Sequence, residues 1–226
     1  MEYDKTSSPL YKLLLGGKQI NLPKGQVVSA FEDRAMLHLI KSGYIKRYLI
    51  SSDGTKGIQV IFGPNDIVPL TPVYKTIFKM EMYSGPVQYY YEAMTDIKIY
   101  SVSQSTLLEA IEKDPLIYRD LFYAAGMRLN SYIHRLESMS TRAAHRKVAH
   151  QLAYLAEVFG VESQDGIAIT VPLTHQNIGD MLSLARETVT HCMNRLQEKG
   201  LITGGKHIVV LDLEKLKLRS SLISSG

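Results

Sequence analysis

A chain of 226 residues suits one large domain or two small ones, and 45% hydrophobic with 21% charged residues excludes a disordered or fibrous polymer. The net charge of +4 is a weak hint of a polyanionic partner, and it is evenly spread, with 16 basic against 14 acidic residues before Ser140 and 10 against 8 after it. No apolar run approaches the roughly 18 residues of a membrane span, and Met1-Glu2-Tyr3-Asp4 is unlike a signal peptide, so a soluble, cytoplasmic protein with no membrane contact is expected.

Residues 20 to 103 read as short strands. Gln26–Ala30, Met36–Ile40, Tyr44–Ile50, Gly57–Phe62, Val87–Ala93 and Asp96–Val102 are rich in Val, Ile, Tyr and Phe. Turn chemistry separates them at Lys41-Ser42-Gly43, Ser51-Ser52-Asp53-Gly54 and Gly63-Pro64-Asn65-Asp66. Strands at this spacing predict a sandwich or jelly-roll barrel.

The period then changes. From Pro115 to Met139 the chain has no internal proline and one glycine, at 126. Tyr118, Phe122, Ala125, Leu129, Tyr132, Leu136 and Met139 are spaced 4, 3, 4, 3, 4 and 3 apart, which is a heptad seam. Asp114 and Pro115 supply its start. Such a stripe packs a helix on its own barrel or on a second copy of itself. The sharper expectation is a parallel homodimer. Ser138-Met139-Ser140-Thr141 reads as a hinge. Ala143–Phe159 follows as an amphipathic helix with Val148, Leu152, Leu155 and Val158 on one side, stopped by Gly160. Ile167–Val171 is a short strand after the Asp165-Gly166 turn.

The stretch from Leu173 to Val189 has the layout of a helix-turn-helix. Thr174 caps the first helix, and Leu173 and Ile178 fit the positions of a hydrophobic staple. Ile178, Met181, Leu184, Val189 and Leu196 are spaced to fill a small core between crossing helices, with Gly179 where a Cβ would hold them apart. Ala185 to Lys199 forms the second helix and ends at Gly200. Its first residues, Arg186, Glu187, Thr190 and His191, suit base edges: Arg pairs with guanine O6 and N7, and Glu accepts from cytosine N4. Thr174, His175, Gln176 and Thr188 stand at helix starts, where phosphates bind. Leu201 to Val210 reads as a hairpin turned at Gly204-Gly205, a wing whose Lys206 and His207 face the DNA backbone.

On Leu173-Thr174-His175-Gln176-Asn177-Ile178-Gly179, Arg186-Glu187-Thr188-Val189, Gly200-Leu201-Ile202 and the 204–210 hairpin, the sequence resembles the Crp/Fnr family of bacterial transcription factors. The resemblance implies an α+β chain: an N-terminal β jelly-roll (cupin-like) sensor barrel at 1–105, a linker and dimerisation helix at 106–140, and a winged helix-turn-helix at 141–226. It further implies a homodimer on a two-fold symmetric operator in double-stranded DNA, with Arg186 and Glu187 as the base-reading pair and Thr174, Gln176 and Thr188 on phosphates. The loop Val158–Asp165 lies where members of the family touch RNA polymerase. Two departures stand out. His191 occupies the place of a second base-reading Arg, and Ser183 that of a turn glycine, which carries a backbone cost where φ is positive.

The sensor expectations are negative. The Gly-Glu that binds the ribose in cyclic-nucleotide members falls on Pro69-Leu70, and the Arg-Ser or Arg-Thr that binds the cyclic phosphate falls on Val87-Gln88. A buried phosphate left without a cation is very costly, so cyclic AMP is not expected to bind. The base-contacting positions of the long helix fall on Tyr132 and Ile133. One cysteine, Cys192, allows neither an internal disulfide nor an iron–sulfur cluster. His38 is the only histidine before 134 and reads as a strand residue with a satisfied hydrogen bond, so no haem, metal or other cofactor is expected. Tyr44, Tyr48, Tyr83, Tyr89, Tyr90, Tyr91 and Tyr100 either line a pocket for an unidentified small-molecule effector or pack an empty barrel. No enzyme is expected. The competing reading is a cupin-like metal- or small-molecule-binding protein whose winged-helix tail binds protein.

Overall fold

The computed structural model describes residues 7–27, 36–79, 88–205 and 207–220. Its elements in chain order are α1 (Pro9–Leu15), β1 (Lys18–Leu22), β2 (Met36–Ser42), β3 (Ile45–Ile50), β4 (Lys56–Phe62), β5 (Ile67–Val68), α2 (Thr71–Phe78), β6 (Tyr89–Ala93), β7 (Ile97–Ser103), α3 (Gln104–Lys113), α4 (Leu116–Ser140), α5 (Ala144–Phe159), β8 (Gly160–Ser163), β9 (Gly166–Ile169), α6 (His175–Leu182), α7 (Arg186–Glu198), β10 (Ile202–Thr203), β11 (Val209–Val210) and α8 (Leu213–Ser220). The chain is α+β and divides into two compact units, Met1–Leu49 with Val60–Asn130 and Ile50–Gln59 with Ser131–Gly226. None of the helices among the described residues is long and apolar enough to cross a membrane.

The first unit is built on two sheets, ordered β1-β7-β2-β5 and β4-β3-β6. Alternation along β7 buries Ile97, Ile99 and Ser101 and leaves Lys98 and Tyr100 half-exposed. Ile40, Ile45, Val60, Phe62, Val68, Tyr91, Ala93, Ile97 and Ile99 make one core. A second core gathers Leu10 and Leu14 of α1, Leu107 and Ile111 of α3, and Ile117 and Leu121 of α4. The buried carboxylate of Asp120 clasps α1 to α4: it accepts from Ser8 Oγ (2.5 Å) and from the Leu10 N–H (3.1 Å). Arg128 of α4 holds the β4–β5 turn through Asp66 (3.2 Å) and lies over the Phe62 ring.

Several expectations shift here. Residues 104–113 form a helix rather than a linker, and Ser103 caps it by accepting from the Thr106 N–H. Helix α1 carries the same kind of signal, Ser8 as cap with Pro9 in the first turn. Of the strand expected at Gln26–Ala30, Val27 makes only an isolated bridge to Glu92, and residues 28–30 lie outside the described residues. His38 is buried with Nδ1 2.7 Å from Ser101 Oγ, its cross-strand partner, as a satisfied strand histidine should be. The tyrosines largely pack: Tyr48 stacks on Tyr90, and Tyr91 on Phe62 in the core. Tyr83 and Val87 lie outside the described residues.

In the second unit, α5 buries Val148, Ala149, Leu152, Ala153, Leu155 and Ala156. Val158, expected on that side, is exposed. At 100° per residue it falls about 140° from the middle of the buried arc, because the alanines widen the buried face away from it. Gly160 ends the helix in extended rather than left-handed backbone, φ −84° and ψ 149°. It is required there because a Cβ would collide with the Ala156 carbonyl. Strand β9 is shorter than expected and sits in a sheet ordered β10-β11-β9-β8.

Candidate nucleic-acid interface

Three helices of the second unit meet around one small core. Ile178, Met181, Val189 and Leu196 are buried as their spacing predicts, Leu184 is half-buried, and Leu182 and Met193 join them. The crossing of α6 and α7 is set by backbone. The Leu184 N–H donates to the Gly179 carbonyl (3.0 Å), and a Cβ at 179 would lie 2.5 Å from the Leu184 carbonyl oxygen. Ser183 closes the turn at φ 54° and ψ 48°, the left-handed conformation that its position had implied.

The two helix starts differ. At α6, Thr174 Oγ1 accepts from the Asn177 N–H, and the Asn177 side chain returns to the Thr174 N–H, a complete capping box. The Thr174 hydroxyl proton is still available to an anion. At α7 the cap position is Ala185, which offers no side-chain hydrogen bond, so the N–H groups of the first turn stay open to an acceptor.

Arg186 and Glu187 are exposed on that first turn. Among the described residues their side chains enter no hydrogen bond or ion pair. His191, one turn on, is also exposed. Thr190 is placed differently from its neighbours. Its hydroxyl donates to the Arg186 carbonyl (3.0 Å) and lies 2.8 Å from His175 Nδ1. With the threonine proton so engaged, the neutral histidine donates from Nδ1, which makes Nε2 its acceptor nitrogen. Thr190 therefore keeps its methyl, and one lone pair, as what it can offer a base. Gln176 donates to Asp180 one turn on (2.7 Å), and Thr188 is half-buried. In the wing, Ile202 pairs with Val210 and Thr203 with Val209, and His207 is exposed. Lys206 lies outside the described residues.

The even charge count hides a local concentration. His145 and Arg146 of α5 lie with Arg195 of α7, Lys199 at its end, and Arg219 of α8. Burial, then Arg195, Arg146, Lys199 and Arg219, hold His145 below the ordinary histidine range. Lys199 is likewise held down, chiefly by Arg219. Cys192 faces the core, and burial pushes its thiol up, which suits a packing residue rather than a reactive one. Arg135 of α4 donates from Nη1 to the carbonyls of Ile58 (2.6 Å) and of Met181 near the end of α6 (2.9 Å), so it serves the helix terminus as a cationic cap.

A family model described as a Crp-like helix-turn-helix domain matches residues 146–219. The CRP-like cAMP-activated global transcriptional regulator of Mycobacterium tuberculosis (strain CDC 1551 / Oshkosh) is 26% identical over 203 residues, 89% of this chain and 87% of that one. Regulatory protein HlyX of Actinobacillus pleuropneumoniae is 24% identical over 195 residues, 85% of this chain and 78% of that one. Among solved structures, FixK2 from Bradyrhizobium japonicum superposes with a TM-score of 0.72 at 20% identity, covering 92% of this chain and 98% of that one. A CooA mutant from Carboxydothermus hydrogenoformans gives 0.71 at 20% identity, with 93% and 90% covered.

The turn makes a paired prediction for chemical denaturation. Gly179→Ala should destabilise the second unit by about 1–3 kcal/mol, since backbone must move to admit the methyl. Ser183→Gly should stabilise it by about 0.5–1 kcal/mol by relieving the left-handed serine. Equal midpoints for both variants and the parent would contradict the backbone-set crossing.

Proposed function

We propose that the chain, whose residues 146–219 match a Crp-like helix-turn-helix domain, is a DNA-binding transcription regulator of the Crp/Fnr type that works as a homodimer reading a two-fold symmetric operator through the first turn of α7. The observation that carries this is the pair Arg186 and Glu187, exposed and unengaged at a helix start with no side-chain cap. In a helix-turn-helix that end of the second helix meets base edges in the major groove. His191 and the Thr190 methyl extend the reading along the groove. Thr174, His175, Gln176, Thr188 and Lys206 approach phosphates and fix the register. One relative is named as a global transcriptional regulator and another as a regulatory protein.

The long helix supports the dimer. Ile117 and Leu121 are buried in the first-unit core, whereas Phe122 (80%), Leu129 (60%) and Leu136 (68%) are exposed along the seam, with Tyr118 and Met139. A stripe of large apolar side chains left in water at heptad spacing calls for a matching stripe, and a second copy of the helix supplies one. Paired seams bring two recognition helices to about 34 Å, one turn of DNA. A sensor at 1–105, a linking segment with the dimer helix at 106–140 and a reader at 141–226 divide the work; α4 runs on to Ser140, through most of the hinge expected at Ser138–Thr141, so the break at 141–143 between α4 and α5 is where a signal would change the spacing. The reading places the protein in the cytoplasm. RNA polymerase would meet the loop that holds β8.

One relative is named as activated by cyclic AMP. For this chain we infer a different control. Pro69 and Leu70 stand after β5, where a ribose-binding carboxylate is needed, and Leu70 is buried in the apolar core. The effector is left as an unidentified small molecule.

Three measurements test these readings. Arg186→Ala and Glu187→Ala should each weaken specific binding by about 1–3 kcal/mol and relax one operator position in a footprint; unchanged specificity would sink the assignment of α7. The parent chain should sediment as a dimer at micromolar concentration, and Leu129→Asp with Leu136→Asp should give monomers. Calorimetric titration with cyclic AMP should show no micromolar binding, and a saturating heat at that level would overturn the effector reading.

A further inference from the structure

The end of α4 and the facing turns of α5 bring three metal-ligating side chains together, outside every residue assigned to DNA or to the dimer. His134 and Glu137 stand at i and i+3 on α4 and so share a face. His150, two turns into α5, approaches them across the break at 141–143. Glu137 Oε2 lies 3.5 Å from His150 Nε2 and 3.8 Å from His134 Nδ1, and all the ligand atoms fall within 4.8 Å of one another. The histidines are half-buried and the glutamate is exposed.

A second observation points the same way. His134 Nδ1 is buried with no hydrogen-bond partner. The 3.8 Å to Glu137 is too long for a hydrogen bond. His38 and His175, by contrast, each place Nδ1 within 2.8 Å of a hydroxyl. A buried polar atom is ordinarily satisfied, and a cation seated among the three groups would satisfy this one. The ring is also held in place. It lies 4.5 Å, centroid to centroid, from Tyr154, whose hydroxyl donates to Ser131 Oγ (2.9 Å). Such outer contacts are what orient a ligating imidazole.

We propose that His134, Glu137 and His150 bind a divalent transition-metal ion of the zinc class. Two imidazoles and one carboxylate suit zinc and its neighbours, whereas calcium and magnesium require oxygen donors throughout. Bonds of about 2.0–2.2 Å to a tetrahedral zinc set ligand atoms about 3.3–3.5 Å apart. The two separations to Glu137 are already near that, and the third, between the two imidazoles, is at most 4.8 Å and closes by adjustment of the His150 side chain. The fourth position is left to water or to an incoming ligand. A bound ion would clasp the last turns of α4 to α5 and stiffen the 141–143 joint. Binding itself does not depend on the DNA reading, so either can fail alone.

The test uses the full-length protein, stripped with a chelator and titrated with zinc chloride, then with cobalt(II) as a coloured substitute. One ion per chain should bind at micromolar affinity or tighter. His134→Gln, Glu137→Gln and His150→Gln should each weaken binding at least tenfold, while Cys192→Ser and His145→Gln leave it unchanged. Circular dichroism of the stripped variants checks that they fold. For a variant that does not, zinc-induced shifts of the His134 and His150 ring signals in the parent chain provide the same test. No zinc at one per chain, parental affinity in the folded glutamine variants, or a cobalt–thiolate band from Cys192 would each overturn the site.

Discussion

The contact between Gly179 and the Leu184 carbonyl governs how this protein presents its second recognition element. Two helices can cross this tightly only if no side chain stands between their backbones, and a Cβ at 179 would sit 2.5 Å from that oxygen. The chain must then reverse within three residues, which drives Ser183 into left-handed backbone. From that reversal α7 starts without a capping side chain, with Arg186 and Glu187 exposed in its first turn. The exposure of Arg186 and Glu187 is thus a consequence of how closely two backbones approach.

Helix α4 presents two distinct faces, about 100° apart around its axis. Ile117, Asp120 and Leu121 anchor it to the first unit, and the clasp from Ser8 and Leu10 to the Asp120 carboxylate makes that face a fixed one. The other face keeps Phe122, Leu129 and Leu136 exposed to water.

Several polar side chains of the first unit are paired within it. His38 is satisfied by Ser101, Lys46 pairs with Glu92 across neighbouring strands, and Arg128 meets Asp66. A pocket lined by Tyr11, Asn65, Asp66, Asp120, Tyr123 and Arg128 holds about 40 Å³, room for a water or two rather than a nucleotide. Control of the protein has to be sought with that in view.

Much of the design was legible along the chain, because it rests on local rules. Heptad spacing marks α4, the capping signature of Thr174 marks α6, and the Gly179 and Ser183 positions mark a tight turn. Helices α1 and α3 carried readable caps at Ser8 and Ser103, but their short apolar runs were overshadowed by the strand pattern around them. What sequence could not supply was the meeting of distant residues. A charge count of +2 in each half gives no sign that His145, Arg146, Arg195, Lys199 and Arg219 gather from three helices. Thr190 looks like any other exposed threonine until His175 closes on it from the neighbouring helix. The pairing of His134 and Glu137 follows from helical spacing, yet only packing across the 141–143 break brings His150 to face them. Periodicity and capping are set by neighbours in the chain, so sequence determined the elements and the reading turn. Electrostatic clusters and ligand sets depend on which faces pack together, and the tertiary structure alone decided those.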